Sequence, residues 1–136
     1  MRKNRCFIDT SALIALNDAR DQYNKEARDI AAILEDNELI ITDAVITETY
    51  NILRYRLGFQ RARFFLKAVL AGHPFLIAEV TPQIRTTTLQ ILEQYSDHNI
   101  SYCDALSVAM IKDQKIKKVF AFDYHFEITG VQLVQL

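Results

Sequence analysis

Short apolar runs alternate with longer segments of helical periodicity along the chain, and this alternation constrains the fold more than any other feature. The apolar runs predict buried strands at 5–9, 39–41, 75–80 and 118–122, with a short fifth strand at 131–134. Strands separated by helices pair in parallel, because each connection between parallel neighbours needs a long crossover. The sequence therefore predicts an α/β fold, a three-layer α/β/α sandwich around a central parallel sheet of about five strands.

Helical patterns fill the intervals between these strands. They predict helices at 11–17, 23–35, 42–57, 59–71, 81–95 and 101–113. Residues suited to helix starts support two of the boundaries: Thr42 or Asp43 can cap the third helix, and Thr81 precedes Pro82 at the start of the fifth. With 136 residues, little Gly or Pro and no repeat, the chain is expected to form a single domain over 1–136.

Composition excludes several classes of protein. The net charge is −1 and the isoelectric point is about 6.3, so any nucleic-acid binding must use a local basic patch. No stretch approaches the roughly 20 apolar residues of a membrane span. Cys6 and Cys103 lack the spacing of a zinc or redox motif and lie in apolar segments, which is typical of reduced, buried thiols. A soluble, cytoplasmic protein with no membrane partner is expected.

Four acidic residues fall where the chain enters or leaves these elements. Asp9 ends the first predicted strand and Asp123 follows the fourth, while Glu48 and Asp104 fall in the first turns of two predicted helices. Parallel neighbouring strands would bring all four carboxylates to the carboxyl end of the sheet, where open α/β sheets place their sites. Two carboxylates about 4 Å apart repel by roughly 4 kcal/mol at an effective dielectric constant of about 20. A hard cation such as Mg²⁺, which prefers oxygen ligands, removes that repulsion.

Each acidic residue also has a structural alternative. Asp9 can cap a helix, and Asp123 can begin a turn. Asp104 fits the third position of a capping box that starts at Ser101. Glu48 lies on the apolar stripe of its helix, where a glutamate is rarely buried unless it is paired or bound to a metal. A carboxylate in a first helical turn can both cap the helix and face a site, so the structural and functional roles are compatible.

A basic cluster spans the break between the third and fourth predicted helices. It contains Arg54, Arg56, Arg61, Arg63 and Lys67, interleaved with phenylalanines. The cluster is either a solvated helix face or a surface that binds phosphates or a protein partner. The histidines at 98 and 125 are expected to be partly exposed side chains rather than metal ligands.

Four motifs, taken together and in order, resemble the PIN domain nucleases, and most closely the VapC group of toxin ribonucleases. They are Phe7-Ile8-Asp9-Thr10-Ser11, Thr42-Asp43-Ala44-Val45-Ile46-Thr47-Glu48, Tyr102-Cys103-Asp104-Ala105-Leu106 and Phe120-Ala121-Phe122-Asp123-Tyr124-His125-Phe126. Each motif is weak alone, but together they cover essentially the whole chain. The resemblance implies a parallel sheet with helices on both faces and a phosphodiesterase site that depends on Mg²⁺ or Mn²⁺.

The resemblance also implies roles for individual residues. It places the catalytic, metal-holding acidic quartet at Asp9, Glu48, Asp104 and Asp123. Ser11 takes the position of a supporting hydroxyl. Many members carry Thr or Ser two residues before the last aspartate, but this chain has Ala121, so a hydroxyl that could orient Asp123 is missing.

The function implied by the resemblance is metal-dependent hydrolysis of RNA by the toxin of a toxin–antitoxin pair. Its partners would be an RNA substrate, a cognate antitoxin and a second copy of the chain, with helices around 54–70 contributing to a homodimer. Two alternatives stay open: an RNA-processing nuclease of the same fold without an antitoxin, and a non-catalytic binding module. A haloacid-dehalogenase-like phosphatase is disfavoured because it needs an aspartate where Ser11 stands. A receiver domain is disfavoured because only a single aspartate follows the first strand.

Overall fold

The computed structural model describes residues 4–123 and 125–135. The four strands are β1 (Arg5–Ile8), β2 (Glu38–Ile41), β3 (Phe75–Ile77) and β4 (Lys118–Phe120). The helices between the strands are α1 (Thr10–Asn17), α2 (Asn24–Ile33), α3 (Asp43–Leu57), α4 (Phe59–Leu70), α5 (Pro82–Gln94) and α6 (Tyr102–Asp113), and α7 (His125–Ile128) follows β4. Every predicted helix is therefore present, close to its expected bounds.

The strands form one parallel sheet in the order β3-β2-β1-β4. β1 lies inside the sheet, where Cys6 pairs with Leu39 on one side and with Lys118 on the other. Helices flank the sheet, so the predicted α/β architecture is confirmed. Since all strands run the same way, their carboxyl ends meet at one edge, and β1 and β4 end beside each other there.

The sheet has four strands rather than about five. The segment predicted as a fifth strand makes a single parallel bridge, between Leu133 and Val119. The backbone N–H of Val119 donates to the carbonyl of Gln132 at 3.2 Å, and the N–H of Val134 donates to the carbonyl of Val119 at 2.8 Å. β4 is only three residues long and offers this segment one paired residue, too little for a regular strand.

The core surrounds the two strands that carry the site. Phe7, Ile8 and Phe120 are at most 2% exposed, as expected for strands covered on both faces. β3 is an edge strand, and its Leu76 and Ile77 are 48% and 38% exposed. Across the described residues, no helix combines the length and apolar character needed to cross a membrane.

The two cysteines are free thiols, as predicted for a chain without a disulfide framework. Cys6 is fully buried and Cys103 is partly buried. Burial raises the pKa of each thiol to about 12, so both are protonated at neutral pH. Neither thiol is therefore set up as a nucleophile or a metal-binding thiolate.

Hydroxyl caps fix the starts of three helices, and two of these helices carry acidic site residues. The Thr42 hydroxyl accepts the backbone N–H of Val45 at 3.3 Å and begins α3. The Ser101 hydroxyl accepts the backbone N–H of Asp104 at 3.0 Å and begins α6. Thr81 caps α5 in the same way, ahead of the proline that occupies the first turn. These caps set where α3 and α6 begin and so set the positions of Glu48 and Asp104.

Candidate active site

A cleft of about 440 Å³ opens beyond the carboxyl ends of β1 and β4. All four predicted acidic residues line it, although they come from four separate parts of the chain. Its other lining residues are Thr10, Ser11, Ile14, Asp21, Gln22, Tyr23, Ile52, Arg56, Ser101 and Phe122. The cleft lies at the edge of the sheet where the sequence predicted a site.

Asp9 links the sheet to the cleft. Its backbone N–H donates to the carbonyl of Phe120 at 3.0 Å, which extends the pairing of β1 with β4 by one residue. Its Oδ2 accepts the backbone N–H of Ser11 at 3.1 Å and the Ser11 hydroxyl at 2.7 Å, so Asp9 also caps α1. The helix-capping role and the site position therefore coexist in one side chain.

The second carboxylate oxygen of Asp9 has different surroundings. Asp9 is 2% exposed, and within the described part of the chain its Oδ1 is buried without a hydrogen-bond partner. Burial raises the pKa of Asp9 from 3.8 to about 6, even though the hydrogen bonds from Ser11 act in the opposite direction. A buried oxygen left without a partner is unusual in a folded protein, and a bound cation would satisfy it.

Asp104 lies across the cleft in the first turn of α6. The capping box is half confirmed, since Ser101 accepts the Asp104 backbone N–H and leaves the carboxylate for the cleft. The pKa of Asp104 rises from 3.8 to about 8, first because of burial and then because of the charges of Asp9 and Asp123. Without a cation, the proximity of these carboxylates therefore disfavours the charged form of Asp104.

Asp123 is held by contacts with His125 at the start of α7. Its Oδ1 accepts the backbone N–H of His125 at 2.9 Å and lies 3.2 Å from the Nδ1 of His125. The same Nδ1 lies 3.9 Å from Asp104 Oδ2. Ala121 supplies no hydroxyl that could orient Asp123. The carboxylate of Asp123 instead accepts a hydrogen bond from the backbone N–H of His125.

His125 was expected to be a partly exposed side chain rather than a ligand. Its side chain is 20% exposed, but the structure places the imidazole between the two aspartates at the cleft. The signal for this placement is its spacing, two residues after an aspartate that closely follows a buried strand. The other histidine considered, His98, lies beside the exposed Asp97 and does not line the cleft.

The donor set fits a divalent cation. Asp104, Asp123 and His125 each offer one ligand atom, and these atoms lie within 4.8 Å of one another. Asp9 Oδ1, the partnerless oxygen, belongs to the same cleft. Carboxylate oxygens dominate this set, as in sites for hard cations, and an imidazole is compatible with Mn²⁺ or a softer divalent ion.

Glu48 reaches the cleft from the side of α3. It is the sixth residue of that helix and so lies in its second turn rather than its first. Its side chain is half-buried, at the rim of the cleft rather than in the core. Glu48, Ile52 and Arg56 are spaced four residues apart, and all three line the cleft, so one side of α3 forms a wall of the site.

The arginines of the predicted basic cluster do not all lie at the cleft. Arg54, Arg56, Arg61 and Arg63 are all exposed, but of these only Arg56 lines the cleft. Arg54 follows Glu48 by six residues, which turns it to another side of α3, and its guanidinium lies 5.8 Å from the Phe59 ring centroid. Arg61 and Arg63 belong to α4, beyond the break at Gly58, whose φ of 91° suits glycine.

The loop between α1 and α2 contributes residues that were not predicted. Asp18 Oδ2 and Asp21 Oδ2 lie 3.6 Å and 3.7 Å from Arg56 Nη1. Tyr23, at the end of this loop, lines the cleft beside Phe122. No local pattern identifies these residues, because their roles depend on ion pairs and ring contacts with distant segments.

Comparisons with known proteins agree with this architecture. The 23S rRNA-specific endonuclease VapC20 of Mycobacterium tuberculosis is 27% identical over 124 residues, which cover 91% of this chain and 93% of that protein. The crystal structure of VapC20 has a TM-score of 0.88 at 24% identity, covering 96% of this chain and 99% of that chain. VapBC2 from Rickettsia felis, bound to a DNA fragment from its promoter, has a TM-score of 0.72 at 12% identity, with coverages of 96% and 97%. A family model described as the PIN domain matches residues 6–131, and the chain therefore belongs to the PIN domain family.

Proposed function

We propose that this protein is a metal-dependent endoribonuclease that hydrolyses RNA phosphodiester bonds. The observation that carries the proposal is the meeting of Asp9, Glu48, Asp104 and Asp123 at one cleft, with a buried Asp9 oxygen left without a partner among the described residues. The likeness to VapC20, a protein named as a 23S rRNA-specific endonuclease, supports RNA as the substrate class. The chain acts in this proposal as one PIN-like domain over 1–136.

The residues of the cleft have different roles in this proposal. Asp9, Glu48, Asp104 and Asp123 would hold a Mg²⁺ or Mn²⁺ ion, and the imidazole of His125 would be available as a further ligand. When bound, the ion activates water and offsets the charge of the phosphoryl group. Ser11 holds Asp9 in place, because its hydroxyl and backbone N–H both donate to one carboxylate oxygen. No side-chain nucleophile is required, in keeping with the protonated state of Cys103 beside the site.

The exposed arginines are proposed to bind the RNA backbone. Arg56 reaches the cleft itself, while Arg54, Arg61 and Arg63 extend the basic surface along α3 and α4. Cationic side chains along a strand's path neutralise phosphates without reading sequence. They also counter the repulsion that RNA would meet at a cleft lined with carboxylates.

Metal-dependent cleavage is the direct test. Purified protein is incubated with single-stranded RNA in Mg²⁺, in Mn²⁺ and in excess EDTA. We expect cleavage with either metal and none in EDTA, and loss of cleavage in Asp9→Asn. Asp97→Asn is the matched control, because Asp97 is 84% exposed and lies outside the cleft. Undiminished cleavage in EDTA would contradict the proposal, and RNA binding without cleavage in any metal would favour a non-catalytic module.

We also propose a protein partner, the antitoxin of a toxin–antitoxin pair. The solved structure of VapC20 is described as a Sarcin-Ricin loop cleaving toxin, and VapBC2 was crystallised with promoter DNA. A small DNA-binding protein encoded next to this chain is the expected partner. Co-expression should yield a complex with suppressed RNA cleavage. If no such protein is encoded nearby, an RNA-processing role without an antitoxin replaces the toxin role.

Self-association is proposed to use the outer face of α4. Phe59, Phe64 and Leu70 are 48%, 71% and 59% exposed, whereas Phe65 and Val69 point into the core. Large apolar side chains exposed in this way are common at interaction surfaces. Light scattering after size-exclusion chromatography should show a dimer for the wild type and a monomer for Phe64→Ser. A monomeric wild type would remove α4 as a dimer interface.

A further inference from the structure

Two aromatic rings stack beside the acidic cleft. The ring centroids of Tyr23 and Phe122 are 4.5 Å apart and their planes differ by 4°. Phe122 directly precedes Asp123, and its backbone N–H donates to the Ser11 hydroxyl at 2.9 Å. That hydroxyl in turn donates to Asp9. The aromatic pair is thus connected to two of the acidic residues through the chain and through hydrogen bonds.

The pair is not enclosed by the core. Tyr23 is 38% exposed, and both rings line the acidic cleft as well as a neighbouring cleft of about 420 Å³. On the core side, Phe120 meets Phe122 edge-on, with centroids 6.0 Å apart and planes 70° apart. The stack therefore separates two open clefts and leaves aromatic surface of Tyr23 in contact with solvent.

A network of ion pairs holds Tyr23 in this place. The backbone N–H of Tyr23 donates to Asp21 Oδ1 at 2.9 Å, while the other oxygen of Asp21 lies 3.7 Å from Arg56. Asp18 pairs with the same guanidinium and accepts the backbone N–H of Arg20 at 3.0 Å. Arg56 thereby fastens the loop to α3 and places a cation in the same cleft as the aromatic pair.

Aromatic rings and a guanidinium that line one cleft are a combination that binds single-stranded nucleic acid, because bases stack on the rings and phosphates pair with the cation. We propose that the Tyr23–Phe122 pair is a stacking platform for one base next to the scissile phosphate, with Arg56 contacting an adjoining phosphate. The inference rests on the proposed RNA-cleaving function and adds a subsite to it. The occupant is an unpaired nucleotide, because a base inside a duplex stack has no free face to offer.

A binding experiment with single-position changes in the RNA tests the platform. A single-stranded RNA and a set of versions that each lack one base are titrated in Ca²⁺, which replaces Mg²⁺ and suppresses cleavage. The proteins are the wild type, Tyr23→Leu, and Tyr23→Phe as the matched control that keeps the flat ring. For the wild type, removing one particular base should weaken binding by roughly tenfold.

The expected pattern is a coupling between one base and one side chain. Tyr23→Leu should bind the intact RNA roughly tenfold more weakly, and removal of that same base should then have no further effect. Tyr23→Phe should behave as the wild type. In wild-type protein, 2-aminopurine at that position should lose fluorescence on binding, a readout that needs no folded variant. Additive losses, or unquenched 2-aminopurine at every position, overturn the platform.

The experiments distinguish a failure of the stacking platform from a failure of the proposed nuclease function. If the wild type cleaves RNA with Mg²⁺ or Mn²⁺ but shows no coupled position, the platform is wrong and the nuclease function stands. If the wild type neither binds nor cleaves RNA, both are wrong. The melting temperature of Tyr23→Leu shows whether the loop has been disrupted, in which case the 2-aminopurine result decides.

Discussion

The hydroxyl of Ser11 donates a 2.7 Å hydrogen bond to Oδ2 of Asp9, which ties a helix-start serine to the most buried acid of the site. The same oxygen atom of Ser11 accepts the backbone N–H of Phe122 at 2.9 Å. One hydroxyl therefore joins the end of β1 to the segment that carries Asp123. We therefore propose that Ser11 positions two acids that are distant in the chain.

Ser11→Ala should impair cleavage more than it impairs folding. Loss of a hydrogen bond that orients a metal-binding carboxylate typically lowers metal affinity or activity by about 10- to 100-fold. The loss of two hydrogen bonds should lower the free energy of unfolding by about 1–3 kcal/mol. Metal titrations of RNA cleavage and thermal melts measure the two effects. Ser11→Thr, which keeps the hydroxyl, is the control, and equal activity of Ser11→Ala would remove the positioning role.

Asp9→Asn should abolish cleavage, while the melting temperature of the metal-free protein stays level or rises. Above pH 6 the Asp9 carboxylate is charged although burial and the charge of Asp123 disfavour this, and the substitution removes that charge. Thermal melts in EDTA at pH 8 give the comparison. A large fall in melting temperature would instead assign Asp9 a mainly structural role as the cap of α1.

Asp104→Asn is a second test of the acidic cluster. The cap of α6 is formed by the Ser101 hydroxyl and the Asp104 backbone N–H, and both survive this substitution. We expect lost cleavage without a lower melting temperature in EDTA. Ser101→Ala removes the cap itself and should cost about 1 kcal/mol of stability. Equal destabilisation by the two variants would show that the Asp104 carboxylate supports the fold.

The metal-free protein should lose stability as the pH rises. The pKa of Asp9 is raised from 3.8 to about 6, so the folded state holds a proton that the unfolded state has released between these values. Its contribution, about 3 kcal/mol, is complete below pH 4 and is lost as the pH passes 6. The raised pKa of Asp104 extends the loss towards pH 8.

Chemical denaturation in EDTA between pH 4 and pH 9 measures this dependence. Saturating Mg²⁺ or Mn²⁺ should stabilise the protein most at high pH, because metal binding requires deprotonated carboxylates. Asp9→Asn should show a shallower pH dependence than the wild type. A stability that rises with pH in EDTA would contradict the clustering of charged acids.

The arginines should give RNA binding its salt dependence. Each phosphate contact to a single strand contributes about 0.7 to the slope of log affinity against log salt. Arg56→Gln should therefore flatten the slope by about 0.7, and the quadruple Gln variant of Arg54, Arg56, Arg61 and Arg63 by about 3. The titrations use Ca²⁺ to prevent cleavage, and light scattering confirms that the variants keep the oligomeric state of the wild type.

A triple variant that spares Arg56 separates the two parts of this surface. If Arg54, Arg61 and Arg63 can all be replaced without changing the salt slope, they form a solvated or partner-binding face. The bound RNA would then contact Arg56 at the wall of the cleft but none of the other three arginines.

The fold was predictable because its signals are local. Apolar runs such as the one before Asp9 mark strands buried on both faces, and the caps at Thr42, Thr81 and Ser101 mark helix starts within a few residues. The fifth strand was not predictable in its final form. An apolar segment at 131–134 shows a propensity to pair, but β4 offers it a single paired residue.

The four acids could be brought together from sequence because parallel strands place their carboxyl ends at one edge of the sheet. The remaining contributors to the cleft depend on contacts between distant segments. Arg56 is one of several arginines in a basic cluster, and only its position on the cleft side of α3 and its pairing with Asp18 and Asp21 distinguish it. His125 reaches Asp104 only because α7, which begins at His125, packs against α6.

The pairing of β1 with β4 also sets the order in which the site can form during synthesis. Asp9 and Asp123 are separated by 123 − 9 = 114 residues, yet they reach the same cleft. A ribosome adds about 5–20 residues per second, so Asp123 is made on the order of 10 s after Asp9. Until β4 emerges, β1 lacks one of its two neighbours and the cleft lacks its last carboxylate. A chain that stops before β4 therefore has no complete acidic site, and the site can form only after β4 and Asp123 have been made.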